Sequence, residues 1–494
     1  MTPDDNNKDQ LTEVIYKATV QTKCPQKLKV DYSKNTTNFL YFSSLSSNLA
    51  QLTCGMMASW ISPISEKLLI DRSELNPLGV SITTVQLALL GASQSIGSFI
   101  GPLLLSKLFD IFGRKKCLTV LYFIVTISIV TLAYSTDLII YYASLFICGV
   151  CVGGVNVGQP VYISEICEDH NRGKMSCLGF VGYPLGTVIC FLIGPYLSFK
   201  YFTLLCALPI AINALCFLTI VPESPIFSVK VHDIRGAKQI LRKLRDKSCK
   251  EIELEIDKIQ YELQETTNSK GGCSQILTDR SSRNGLIIAL GSYNLFNISG
   301  MAALTAYLQP VFNKVETSIS SNICAVFVST VQILCYIAAA SGVERWGRRN
   351  ILLFSVSASI IPLFIIGLYF HLKLKGYAIV ESCNWIPVAG IGIFTVVNGF
   401  GTASVPVVIM NEFFTNQVKA TATSIIVLVS GVVTALNLFG FPIIMESVGL
   451  GWCFWIFTSN CIVGSIFVYF FLPETKGKNL LEIQQILKQL IQKS

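Results

Sequence analysis

The sequence predicts an all-α membrane protein, with twelve transmembrane helices in two six-helix bundles and a helical insertion between them. Three observations predict it: a composition too apolar for water, twelve apolar runs of bilayer length, and short charged motifs that occur twice in the same order. Of 494 residues, 52% are hydrophobic and only 14% charged, and the mean hydropathy is +0.57. A soluble fold cannot bury so many apolar side chains while showing water so few charges. Most of the 17 cysteines fall inside apolar runs and read as small core residues rather than metal ligands.

The runs lie near 40–63, 82–109, 117–135, 138–163, 175–197, 201–221, 286–311, 320–341, 351–371, 386–413, 420–445 and 452–472, each able to cross a bilayer as a helix. With both termini on one side, 32 of the 38 lysines and arginines fall on that side. The other six are Lys67, Arg72, Lys200, Lys314, Lys373 and Lys375. Basic residues resist translocation, so this asymmetry predicts cytoplasmic termini. No cleavable signal is expected before span 1, and the sequons at Asn35 and Asn297 are then out of reach of glycosylation. The predicted organisation is a tail over 1–39, a bundle over 40–229, a linker over 230–283, a bundle over 284–472 and a tail over 473–494. Within the linker, apolar residues at helical spacing (Ile240, Leu241, Leu244, then Ile252, Ile256, Ile259) predict short amphipathic helices under the membrane, and Thr266–Ser274 reads as a flexible stretch.

The two halves repeat each other. Asp110-Ile111-Phe112-Gly113-Arg114 follows span 2, and Glu344-Arg345-Trp346-Gly347-Arg348 follows span 8. Glu165 closes span 4 as Glu412 closes span 10, and Pro222-Glu223-Ser224 closes span 6 as Pro473-Glu474-Thr475 closes span 12. Three motif pairs in one order imply a duplicated six-helix unit, and six being even, both copies share one orientation around a central cavity. An acidic residue, a glycine for a tight turn and following cations make a charged latch. The acidic ends Glu165, Glu223, Glu412 and Glu474 offer partners to Arg114, Arg172, Arg348 and Lys419. Making or breaking such pairs at the membrane edge biases a two-state equilibrium.

Gly149…Gly153-Gly154…Pro160-Val161-Tyr162-Ile163-Ser164-Glu165…Arg172-Gly173, Pro222-Glu223-Ser224-Pro225 and Pro473-Glu474-Thr475-Lys476-Gly477 together resemble the signatures of the sugar porters of the major facilitator superfamily, over about residues 40–485. Gly55-Met56-Met57-Ala58-Ser59-Trp60-Ile61-Ser62-Pro63 resembles, more narrowly, span 1 of insect facilitative trehalose transporters. The resemblance implies alternating access by two rocking bundles and a hexose or disaccharide substrate. A monomer in the plasma membrane with no cofactor and no nucleic-acid partner is expected beside this, and no enzymatic activity, because the chain carries no phosphate loop and no histidine available for a nucleophilic dyad.

The chain departs from that pattern in its cavity. Where sugar porters carry a glutamine pair in span 7, this chain has Phe296 and Asn297, and their following asparagine is Ala302. The span 5 glutamine is Phe180, and the tryptophans of spans 10 and 11 become Val407 and Gly431. Gln332, Tyr307, Asn297 and Asn294 remain as substrate-contact candidates, and Gln86, Gln94, Asn156, Gln159 and Asn437 are cavity-side polar groups equally suited to tying helices together. Because a desolvated sugar hydroxyl left unpaired costs about 1–3 kcal/mol, so few amides point either to a less polar substrate or to a protein that has lost transport.

Proton-coupled sugar porters pair an Asp in span 1 with an Arg in span 4, and the matching positions here are Met57 and Leu145. A facilitative transporter is therefore the leading reading, beside a transport-dead nutrient sensor and a coupled symporter. Flux is expected to run downhill only. In proteoliposomes an imposed pH step should drive no accumulation above equilibrium, and accumulation would defeat the uniport expectation.

Overall fold

The computed structural model describes residues 37–71, 76–268, 279–315, 320–414, 416–478 and 480–489. Span 1 is Asn38–Ser59 continued by Ile61–Leu68, and spans 2 to 6 are Thr84–Phe112, Arg114–Tyr134, Leu138–Ile166, Asp169–Ile193 and Phe199–Thr219. Span 7 is Arg280–Ile298 with Met301–Asn313, and spans 8 and 9 are Ser321–Trp346 and Arg348–Leu374. Span 10 is Ile386–Gly401 with Val405–Phe413, and spans 11 and 12 are Asn416–Ser447 and Leu450–Phe471. Among the described residues, nine helices are apolar and long enough to cross a membrane outright. Span 1 falls short for a local reason, since it carries Ser43, Ser44, Asn48 and Gln51, whereas in spans 5 and 8 the described apolar stretches are Val181–Ile193 and Ser321–Ile337. Polar groups on span 1 face protein rather than lipid: Ser43, Ser44 and Asn48 are all buried.

Close helix contact in the first bundle comes from small residues. A side chain on Gly149 of span 4 would lie 2.1 Å from the Gln94 carbonyl oxygen, and one on Gly97 of span 2 would lie 2.2 Å from the Phe146 carbonyl oxygen. Between lipid-immersed helices, where apolar burial gives little drive, such backbone approach supplies the dispersion contact that holds them. Cys148 and Cys151, a Cys-x-x-Cys pair in span 4, are buried free thiols within this packing.

The bundles meet along span 2 against span 11 and span 5 against span 8. They also meet where the outer half of span 7 packs on Ile61–Leu68 of span 1, at the face opposite the described chain ends. There the Gln309 backbone N–H donates to Ser62 Oγ at 3.0 Å, and the Tyr307 hydroxyl abuts Gly91 of span 2. At the other face, called the terminal face below, every ion pair among the described residues lies within one bundle or involves the linker.

The linker forms helices at Ile234–Leu244 and Cys249–Asn268, as the apolar spacing predicted, and a short helix not foreseen from the sequence, Pro225–Lys230, precedes them; together they enclose a small core of Val229, Ala237, Leu241, Ile252 and Ile256. Gly/Ser/Thr-rich Thr266–Ser274 falls mostly outside the described residues. A charged cluster docks the linker to the first bundle. Buried Arg245 donates to the Ile166 carbonyl at 2.6 Å and lies 3.4 Å from Glu168. Lys247 bridges Glu168 at 2.5 Å and Glu255 at 3.1 Å. Burial disfavours charge on Lys247, but the hydrogen bonds and charges of Glu168 and Glu255 outweigh it and raise its pKa above the ordinary lysine value. The helix Leu480–Gln489 returns to span 7, where Asn284 Nδ2 donates to the Leu487 carbonyl at 2.8 Å.

The glycine contacts carry a test. Gly149→Val should lower the melting temperature sharply, since backbone and not a movable side chain occupies the space. Gly440→Ala, whose nearest neighbour would be a methyl group 4.0 Å away, should leave it nearly unchanged. Equal effects would remove Gly149 as a packing point.

Candidate functional site

At the terminal face the duplicated motifs build two matching structures. In the first bundle Arg114 sits between Glu165 (3.0 Å) and Asp110 (3.1 Å), and Lys230 reaches Asp110 at 3.3 Å. In the second, Arg348 pairs with Glu412 at 2.8 Å, and the other carboxylate oxygen of Glu412 accepts from the Thr475 hydroxyl at 2.6 Å. Glu223 and Glu474 do something different from ion pairing. Glu223 accepts from the Lys115 and Ser224 backbone amides, each at 2.9 Å. Glu474 accepts from the amides of Arg348 (3.0 Å), Arg349 (3.1 Å), Thr475 and Lys476 (both 3.0 Å). Each carboxylate, at the end of the last span of its bundle, therefore caps the positive end of an earlier helix, span 3 or span 9.

The cap explains the glycine. Gly113 and Gly347 adopt φ of +98° and +86°, and a Cβ there would fall 2.5 or 2.6 Å from the capping carboxylate. Lys419 is half-buried; among the described residues it makes no ion pair with Glu412. The side chains of Arg172 and Glu344 lie outside the described residues.

In the second bundle the expected contact residues cluster around a break in span 7. Gly300, at φ +91°, separates its two halves. The freed backbone is met by side chains: Asn437 Nδ2 donates to the Asn297 carbonyl and Asn460 Nδ2 to the Ile298 carbonyl, both at 2.9 Å. Asn398 Nδ2 donates to Ser299 Oγ at 3.0 Å. Asn297 itself donates to Ser430 Oγ at 2.7 Å, Asn294 to the Leu290 carbonyl of its own helix at 2.9 Å, and the Tyr307 hydroxyl to the Leu438 carbonyl at 3.1 Å. Gln332 donates to the Tyr336 hydroxyl at 3.1 Å and lines a small pocket with Phe191, Met301, Leu304, Thr305 and Thr395. Phe296 is half-buried on span 7 and packs against the core; the Phe180 side chain lies outside the described residues.

The first bundle holds a chain of amides that the sequence scarcely announced. Asn48 Nδ2 donates to the Met175 carbonyl at 3.1 Å, and Gln159 Nε2 to Asn48 Oδ1 at 2.8 Å. Gln51 Nε2 donates to Gln159 Oε1 at 2.7 Å and to Asn156 Oδ1 at 3.2 Å. Gln94 is half-buried on span 2 beside Gly149. Gln86 completes a capping box with Thr83 at the start of span 2, which commits it to a helix end.

A family model described as "Sugar (and other) transporter" matches residues 25–487. The chain belongs to the sugar transporter family. Among curated relatives, the transporter is 28% identical over 409 residues to the facilitated trehalose transporter Tret1 of Bombyx mori, covering 83% of this chain and 80% of that one. It is 26% identical over 466 residues to the Tret1 of Anopheles gambiae, covering 93% of this chain and 58% of that one. The xylose transporter XylE from E. coli in its inward-open conformation superposes with a TM-score of 0.75 at 19% identity, over 90% of this chain and 99% of that one. At that identity the likeness speaks for the fold, two six-helix bundles of the major facilitator kind.

Two features of the transporter escaped the sequence reading. The capping role of Glu223 and Glu474 was hidden behind the motif's cations, although a glycine directly before a helix start marks exposed amides that an anion can meet. Asn48 and Gln51 were passed over, although two amides three residues apart in span 1 share one helix face. Glu223→Ala and Glu474→Ala should each lose about 0.5–2 kcal/mol, the usual worth of a helix cap. The Gln variants, which keep an accepting oxygen, should lose less. Equal melting temperatures for wild type and both Ala variants would refute the capping role.

Proposed function

We propose that the protein is a facilitative carrier of a sugar, a hexose or trehalose-like disaccharide, working by alternating access with the terminal face in the cytoplasm of a cell bounded by its plasma membrane. The observation that carries the reading is the way the bundles touch. They seal at one face, through Gln309 on Ser62 and Tyr307 against Gly91, while the ion pairs among the described residues at the other face lie inside one bundle or involve the linker. Such a molecule offers its cavity to one side at a time, and rocking exchanges the sides. The names of the curated relatives support trehalose or a related sugar as cargo. Buried, apolar Met57 and Leu145 support uniport over coupling, because a proton carrier needs a titratable group there.

One observation favours a second reading, a transport-dead receptor. The donors of Asn297, Asn437, Tyr307 and Gln332 already have protein partners. Purified protein in liposomes, offered radiolabelled trehalose, glucose, a polyol and a less polar solute, decides between them. Saturable downhill uptake of one solute is the expected result; saturable binding without uptake would establish the receptor, and neither would defeat both.

A further inference from the structure

We infer that the amide chain of the first bundle, ending in Gln51 and Asn156, is the subsite that pairs with the hydroxyls of the carried sugar; this rests on the sugar-carrier reading above. Apart from the span 5 position held by Phe180, the family resemblance places its contacts in the second bundle, so this subsite lies across the cavity from most of the expected ones.

The orientation of the amides follows from an anchor. A backbone carbonyl only accepts, so Asn48 must turn its NH2 to Met175 and its oxygen to Gln159. Gln159 must then present its oxygen to Gln51, and Gln51 spends both hydrogens of its NH2 on Gln159 and Asn156. Two groups are left over at the end of the chain: Gln51 Oε1, an acceptor, and Asn156 Nδ2, a donor, neither with a partner among the described residues. The Asn156 oxygen is occupied, accepting from Gln51 and from the Cys54 thiol at 3.8 Å. One acceptor beside one donor, held by a fixed network, matches two neighbouring hydroxyls, of which one donates and one accepts.

Their position suits a ligand. Asn48 and Gln159 are buried at 5% and 2% exposure, whereas Gln51 is half-buried and Asn156 exposed. Asn156 shares the span 4 face of Gly149 and Gly153, whose backbones pack against span 2, and its side chain reaches Gln51 of span 1. Spans 2 and 5 carry the contacts with spans 11 and 8 of the other bundle, and the exposed Asn156 of span 4 and half-buried Gln51 of span 1 lie between them, beside the gap between bundles. Gly179 of span 5 leaves the room: a Cβ there would fall 2.8 Å from Asn48 Oδ1. An exposed amide inside a membrane span is costly unless it meets water in a cavity or a polar ligand.

The test uses the full-length protein in liposomes, with glucose, its four single deoxy analogues (2-, 3-, 4- and 6-deoxyglucose) and trehalose as probes. In the wild type, at least one deoxygenation should raise KM by about 5- to 150-fold, the cost of an unpaired buried group. Asn156→Ala and Gln51→Ala should each raise the KM for glucose and trehalose and bring the glucose-to-deoxyglucose ratio towards one, with melting temperature retained. A purely structural role would leave that ratio as it was. Saturable wild-type uptake with no deoxy analogue penalised, or with the ratio unmoved in a folded variant, overturns the subsite alone. Absence of saturable uptake or binding of glucose and trehalose in the wild type overturns the carrier reading and the subsite with it.

Discussion

In hydrocarbon a backbone carbonyl released from its helix has no water to turn to, and the break of span 7 at Gly300 releases them at the middle of the molecule. The rest of the second bundle is arranged around this debt. Asn437 of span 11 and Asn460 of span 12 cover the carbonyls of Asn297 and Ile298, and Asn398 of span 10 holds Ser299. Three helices are thereby tied to one break. Amides so committed hold a fixed joint, and the outer half of span 7 beyond that joint is the segment that closes on span 1.

The terminal face follows the same economy of unsatisfied groups. Helices that begin at the membrane edge expose amides, and in each bundle a carboxylate from the last span of its set meets them, Glu223 on span 3 and Glu474 on span 9. The arginine beside each capped end, Arg114 or Arg348, then pairs with the acid closing span 4 or span 10. Each bundle is thus cross-braced within itself. A brace inside a bundle survives rocking unbroken, which lets six helices move as one body. The linker is clamped to the first bundle through Arg245 and Lys247, so it travels with that body.

The two bundles divide polar chemistry unequally. In the second, amides serve the backbone; in the first, an anchored amide chain reaches the gap with groups to spare. Substitution of the family's glutamines by Phe180 in span 5 and Phe296 in span 7 removes one polar position from each bundle, while the anchored amide chain of spans 1 and 4 remains.

What the sequence by itself determined was everything that depends on order along the chain. Apolar run length set the twelve spans, and motif order set the duplication, because both are one-dimensional facts about a chain that must cross a bilayer. Helical spacing of Leu241, Ile252 and Ile256 likewise marked the linker helices. What only the tertiary structure decided was the partner of each polar side chain. Asn297 reads the same in sequence whether it meets a sugar or Ser430, and Glu474 reads as one more latch charge until four backbone amides are found around it. Hydrogen bonds are short and directional, so which donor meets which acceptor depends on packing angles between helices far apart in the chain, and no local pattern records those angles.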